Sequence, residues 1–149
     1  MSSLPSPYSL EAIDVTPDDK FIIGGGGNWR DHPGRILVWD LQKGQLKREN
    51  KWSHFELHDI LVMPDSQTIV ISGRDDHTFL DGHHYIYTGS IENGKYALLF
   101  EWEFGSLKLG FTLDKKYLQF DKYFWDWKMG GNILNQDFQM VDLSTMRPA

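Results

Sequence analysis

Ile60-Leu61-Val62-Met63-Pro64-Asp65 has two counterparts in this chain. Ile13-Asp14-Val15-Thr16-Pro17-Asp18 precedes it by 47 residues, and Leu109-Gly110-Phe111-Thr112-Leu113-Asp114 follows it by 49. In every copy the first and third residues are apolar or aromatic, so in a strand they point to one face. A turn follows each time: Pro17-Asp18-Asp19, Pro64-Asp65-Ser66 and Leu113-Asp114-Lys115. Proline presets φ in such turns, and Asp or Ser bonds back to the local backbone. The strand beyond the turn repeats as well, with Ile22, Ile69 and Leu118 followed two residues later by Gly24, Ile71 and Phe120. A period of about 40–50 residues built from short strands marks a propeller-type repeat, each unit one small antiparallel sheet.

Working outward, the chain reads as a single all-β domain over 1–149, with units of about 8–50, 51–103 and 104–149. Strands are expected near 10–16, 20–25, 35–41 and 45–50 in the first unit. The second has them near 55–63, 67–73, 83–89 and 95–103, and the third near 106–112, 116–125 and 133–143. Tyr96–Trp102 is aromatic, short and bounded by Asn93-Gly94 and Gly105, which favours a strand over a helix. The third unit is expected to lack a fourth strand, leaving Phe138–Leu143 as an open edge. Three incomplete blades do not close a ring, because propellers have about 4–8. A protein partner or self-association, with a dimer favoured, is the expected remedy.

Composition narrows the function classes. The 149 residues carry 40% apolar and 14% aromatic residues, enough for a sheet-based core. There is no cysteine, so disulfides and thiolate metal sites are excluded. The N-terminal stretch Met1–Pro7 has neither a basic start nor an apolar core, and no apolar run approaches the ~20 residues a membrane helix needs. A soluble, cytoplasmic protein is expected. A net charge of −6 argues against nucleic-acid binding. The basic group Lys43, Lys47, Arg48 and Lys51 reads as charge guarding an edge strand.

Val38-Trp39-Asp40-Leu41-Gln42-Lys43-Gly44 resembles the closing signature of a Trp-Asp (WD) repeat, in which the dipeptide ends a strand and a Gly-containing turn follows. Ser53-His54 stands where that family has Gly-His, and Ser72–His77 resembles its turn after the second strand. Each unit is degenerate: Tyr87-Thr88 and Val141-Asp142 replace Trp-Asp in the second and third copies. The resemblance implies a noncatalytic protein-interaction scaffold without a cofactor. It also implies that His54, Ser72 and Asp76, with Tyr87, form a hydrogen-bond network tying one blade together.

The same His, Ser and Asp raise the alternative of a small hydrolase, since such a trio activates a hydroxyl. No Gly-x-Ser-x-Gly elbow accompanies them. A metal-dependent enzyme would use the loop Asp75, Asp76, His77, Asp81, His83 and His84, whose carboxylates and imidazoles suit zinc, manganese or iron(II). That loop contains no recognised metal spacing, so no metal site is assigned. Gly24–Gly27 lacks the Lys-Ser or Lys-Thr of a phosphate loop and reads as a strand whose end crowds the narrow propeller axis, where side chains must be small. For partner contact the expected residues are Trp29, Arg30, Arg74, Tyr123, Trp125 and Trp127, because Trp, Tyr and Arg dominate binding hot spots. The aromatic run Tyr123–Trp127 has a second reading, a hairpin packed on its neighbour.

Overall fold

The computed structural model describes residues 10–28, 32–52, 55–75, 84–102, 108–120, 122–128, 133–142 and 147–148. They form strands and turns without a helix. The first sheet runs β1 (Leu10–Val15), β2 (Phe21–Asn28), β3 (His32–Asp40), β4 (Gln45–Trp52). The second runs β5 (Phe55–Val62), β6 (Thr68–Asp75), β7 (His84–Ser90), β8 (Tyr96–Trp102). The third is built from β9 (Leu109–Phe111), β10 (Leu118–Phe120), β11 (Tyr123–Trp125) and β12 (Ile133–Leu134). Each is antiparallel, with its strands in sequence order. A short hairpin of β13 (Val141–Asp142) and β14 (Arg147–Pro148) follows. The strands that open the sheets, β1, β5 and β9, lie side by side. The result is three stacked blades around an open centre line, the arrangement that the repeat demands.

The turn after each opening strand shows how local sequence sets this geometry. Thr16, Met63 and Thr112 donate their N–H to the carbonyls of Phe21, Thr68 and Tyr117, and accept from the N–H of Asp19, Ser66 and Lys115. Those three donors have φ of 60°, 58° and 58°, a left-handed conformation that Asp adopts more readily than most residues. The aspartate at the turn centre closes it. Asp18 accepts from Thr16 Oγ1 and Lys20 N, Asp65 from Gln67 N and from Thr68 N and Oγ1, and Asp114 from Thr112 Oγ1 and Lys116 N. A fourth turn of the same kind follows β12, where Asn135 N bonds Gln139 O and Phe138 has φ 57°. Nothing in the sequence repeat announces that last turn.

In the first two sheets the expected strands fall close to the observed ones. The third departs from expectation. The span 116–125, read as one strand, is a hairpin, because β10 and β11 pair as Leu118 with Trp125 and Phe120 with Tyr123. The sheet therefore has its fourth strand, β12, paired to β11. The expected open edge over Phe138–Leu143 is also corrected, since Met140 bridges Leu134 and Val141 pairs with Pro148. Asp121-Lys122 is the only polar pair between the two apolar stretches, and it carries no Gly or Pro to mark a turn.

Two cores fill the gaps between blades. Ile23, Ile36 and Val38 meet Leu57, Ile60, Val62, Ile69 and Ile71 between the first and second sheets. Val70, Ile86 and Phe100 meet Leu118, Phe120, Tyr123, Trp125 and Ile133 between the second and third. The glycine run, expected at the axis, sits instead in β2, one strand away from the opening strands that lie side by side. A Cβ on Gly25 would lie 2.8 Å from Arg35 O and 2.9 Å from Leu57 Cδ1, so the next blade, closing on β2, requires the missing side chain.

Candidate functional site

Each blade is tied to the next by an aspartate of its opening strand. Asp14 Oδ1 accepts from Val15 N at 2.9 Å while its Oδ2 accepts from Val62 N at 2.8 Å. Asp59 does the same with Ile60 N at 2.9 Å and Leu109 N at 3.0 Å. The repeat alignment hides this equivalence, because it matches Asp14 to Leu61. Asp59 aligns with Ala12, two residues before Asp14, and its partner Leu109 aligns with Ile60, two residues before Val62, so both ends of the tie shift together. The first joint has further ties. Ser66 Oγ accepts from Asp18 N at 3.1 Å, Asn50 Nδ2 donates to Gly94 O at 3.2 Å, and the Arg48 guanidinium donates to the carbonyls of Ile91 and Glu92. Arg48, expected to guard an edge, instead joins two blades.

At the second joint Lys115 occupies the turn position of Ser66. An ammonium offers no lone pair, so the hydroxyl-to-turn bond of the first joint has no equivalent. A cleft of about 1100 Å³ opens here. Pro64, Asp65 and Thr68 form one wall; Lys115, Lys116, Trp127 and Lys128, with Asp114 and Asp126, form the other. The half-buried Trp127 indole donates Nε1–H to Lys115 O at 2.9 Å, which ties its ring to its own wall of the cleft. Two of the acids are engaged in their own turns. Thr112 and Lys116 hold the Asp114 carboxyl below its usual range, the backbone N–H of Lys116 contributing most. Burial pushes Asp65 up, but the bonds from Thr68 and Gln67 outweigh it and the net direction is down. The three exposed lysines line the opposite side. An aromatic plate, exposed ammonium groups and fixed carboxylates suit a peptide segment with an apolar side chain and polar neighbours.

Of the residues expected to meet a partner, Trp127 lines this cleft. Tyr123 and Trp125 do not meet solvent. Both are buried between the second and third sheets, Tyr123 at 5.8 Å from Phe100 and 5.9 Å from Phe120. The hairpin explains the correction, since both rings sit on the face turned toward the second sheet, with Phe124 on the other. Arg74 is half-buried at the far end of β6, paired in register with His84 and Glu56. Trp29 and Arg30 lie outside the described residues.

The proposed blade-tying network is only partly within view, since His54 and Asp76 lie outside the described residues. Ser72 is buried on β6, beside Asp59 and Ile86 on the face toward the third sheet. Tyr87 pairs with Ile71 on the opposite face and packs edge-on against Phe55 at 5.9 Å. The sheet thus separates Tyr87 from Ser72, and the expectation that both share one network is corrected by strand alternation. Of the Asp75–His84 loop, residues 76–83 lie outside the described set; His84 is buried, its ring 5.4 Å from that of His58. Sequence reading passed over His58, which has no conspicuous neighbour along the chain. Among the described residues no group of three or more His, Asp or Glu is placed to hold a metal ion, and no helix is long and apolar enough to cross a membrane.

No protein-family model matches the chain, and no curated protein matches it. Solved structures do. Hydrazine synthase from Kuenenia stuttgartiensis aligns at 17% identity with a TM-score of 0.65, over 89% of this chain and 42% of its own. U3-55K aligns at 13% identity and TM-score 0.61, over 89% and 41%. The β-propeller domain of Cps50 (Swd1) from Myceliophteria thermophila aligns at 10% and 0.52, over 88% and 45%. This chain therefore spans less than half the length of each of these three structures. At these identities the likeness concerns the fold alone, and the fold is of the β-propeller type.

Proposed function

We propose that this chain is a noncatalytic, WD-repeat-like interaction scaffold of the cytoplasm that binds a peptide segment of a protein partner in the cleft between its second and third blades. One observation carries the reading: the first joint is closed at its turn by Ser66, while the second, with Lys115 there, opens beside Trp127. Propeller-type neighbours support a role in protein contact in general terms. Apolar surface left exposed at both ends of the stack supports it too, and a second copy of the chain is one candidate to cover it.

Screening a random peptide array with the purified protein tests the reading. Selected peptides are expected to lose at least tenfold in affinity to Trp127→Ala while its Tm stays within a few degrees. Peptides that bind Trp127→Ala as well as wild type would refute the cleft. The competing hydrolase reading predicts ester cleavage that disappears in Ser72→Ala. The metal reading predicts a zinc-dependent rise in Tm that a chelator reverses. Either result would replace the scaffold.

A further inference from the structure

The cleft beside Trp127 is lined by three aspartates and three lysines, so its formal charges cancel. Its preference in a ligand is set by which of those charges already have partners. Asp65 has both oxygens engaged: Oδ1 accepts from Gln67 N and Thr68 N, and Oδ2 from Thr68 Oγ1 at 2.7 Å. Asp114 Oδ1 accepts from Thr112 Oγ1 at 2.7 Å and from Lys116 N at 2.9 Å. Asp126 is half-buried and has a partner as well.

The lysines are the reverse. No ion pair among the described residues includes Lys115, Lys116 or Lys128. The Lys116 ammonium lies over the Tyr117 ring, 5.4 Å from its centroid. That leaves Lys115 and Lys128, both exposed. Each is joined to the indole: Lys128 follows Trp127 in the chain, and the Lys115 carbonyl accepts Trp127 Nε1–H at 2.9 Å. A ligand side chain resting against the indole therefore brings its own chain neighbours within reach of two ammonium groups. The corresponding turn of the first joint offers no such charge, since Asp65-Ser66-Gln67 stands there in place of Asp114-Lys115-Lys116.

Two effects oppose an acidic ligand, and neither prevails. Asp114 Oδ2 is an open acceptor that a basic side chain could use, but it is one oxygen against two free ammonium groups. The net charge of −6 repels acidic ligands at long range. Salt screens that field over about 8 Å at physiological ionic strength, so the lysines at contact distance outweigh it.

We infer, on the peptide-binding reading of this cleft, that it selects segments in which an acidic side chain stands beside the apolar anchor. The anchor rests on Trp127, and the carboxylate pairs with Lys115 or Lys128. Each such pair is solvent-exposed, so it tunes selectivity while the indole contact supplies most of the affinity.

Peptides selected on the array test this when capped at both ends, so that no terminal carboxylate competes, and titrated with the full chain by fluorescence anisotropy. The selected set is expected to be enriched in Asp and Glu within two residues of the anchor. Exchanging those residues for Asn and Gln should weaken binding about two- to fivefold, the scale of one exposed ion pair. Lys115→Glu combined with Lys128→Glu is expected to reverse the order, so that lysine-flanked peptides bind more tightly than glutamate-flanked ones. Lys115→Gln with Lys128→Gln, which serves if the charge reversal misfolds, is expected to erase the preference. Selected peptides that are neutral or basic beside the anchor would overturn the inference while leaving peptide binding at Trp127 intact. So would an affinity unmoved by the acid-to-amide exchange, or a preference for acid that survives either double variant. Peptides indifferent to Trp127→Ala would instead overturn the cleft itself, and the charge selectivity with it.

Discussion

The joint between the first and second blades and the joint between the second and third solve one packing problem with different residues. The first closes on aliphatic side chains and adds polar ties at the opening strand, the turn and the outer strand, through Asp14, Ser66, and Arg48 with Asn50. The second keeps the opening-strand tie of Asp59 and fills its gap with rings, Phe100 lying 5.0 Å from Phe120 and 5.8 Å from Tyr123. Rings are larger than the aliphatics, and lysine replaces serine at the turn, so the second joint opens into a cleft. Blade stacking tolerates this because most of its free energy comes from apolar contact, which has no direction. The directional bonds then decide where a joint is sealed.

The largest expected effects test whether apolar contact dominates both joints. Phe120→Ala should cost about 3–5 kcal/mol and Ile60→Ala or Ile69→Ala about 2–5 kcal/mol in urea unfolding, the range for truncating buried rings and aliphatics. Near-neutral results at Ile60 and Ile69 would remove the register of the first joint; a near-neutral result at Phe120 would do so for the second.

Next come the polar ties. Asp14→Ala and Asp59→Ala each orphan a backbone N–H of the following blade and should cost about 1–3 kcal/mol. A much smaller loss at Asp59 than at Asp14 would mean that the second joint does not depend on its opening-strand tie. Arg48→Ala should cost about 1–2 kcal/mol, toward the low end for charged hydrogen bonds because the guanidinium is partly solvated.

Lys115→Ser converts the second turn position to that of the first joint. Stability should move by no more than about 0.5 kcal/mol, as for most surface changes, while peptide affinity at the cleft falls. Unchanged affinity would separate the cleft from the lysine that opens it.

Acid should act gently. Asp18, Asp65 and Asp114 all have carboxyls held below their usual range, and so does Glu49, where the Arg35 guanidinium at 2.5 Å is the main cause. Groups with depressed folded pKa values contribute stability that is complete above their unfolded values near 4. That contribution is lost as pH falls through the folded values. The contribution of these four carboxyls should therefore be flat from pH 7 to 5 and decline below 4. A rise below pH 4 would contradict the turn bonds.

The burial swap inside the aromatic run shows where sequence reading stopped. Tyr123 and Trp125 carry large apolar area and polar handles, which fits either an interface or a core. Only the hairpin formed with Leu118 and Phe120 aims them inward. Ser72 and Tyr87 failed differently: the family resemblance grouped them, and strand alternation put them on opposite faces.

The sequence by itself determined the repeat, the all-β class, and the turns at Thr16, Met63 and Thr112. Their physics is local, an aspartate bonding to N–H groups within a few residues, and local bonds repeat wherever the sequence does. Tertiary structure alone decided which copies of an equivalent row are covered. Val62 is buried and Val15 exposed although both stand in the same register, because burial belongs to the neighbouring blade and not to the strand. It also decided that Asp59 performs the task of Asp14, since the carboxylate and its partner N–H both sit two residues earlier along the paired strands than the repeat alignment places them.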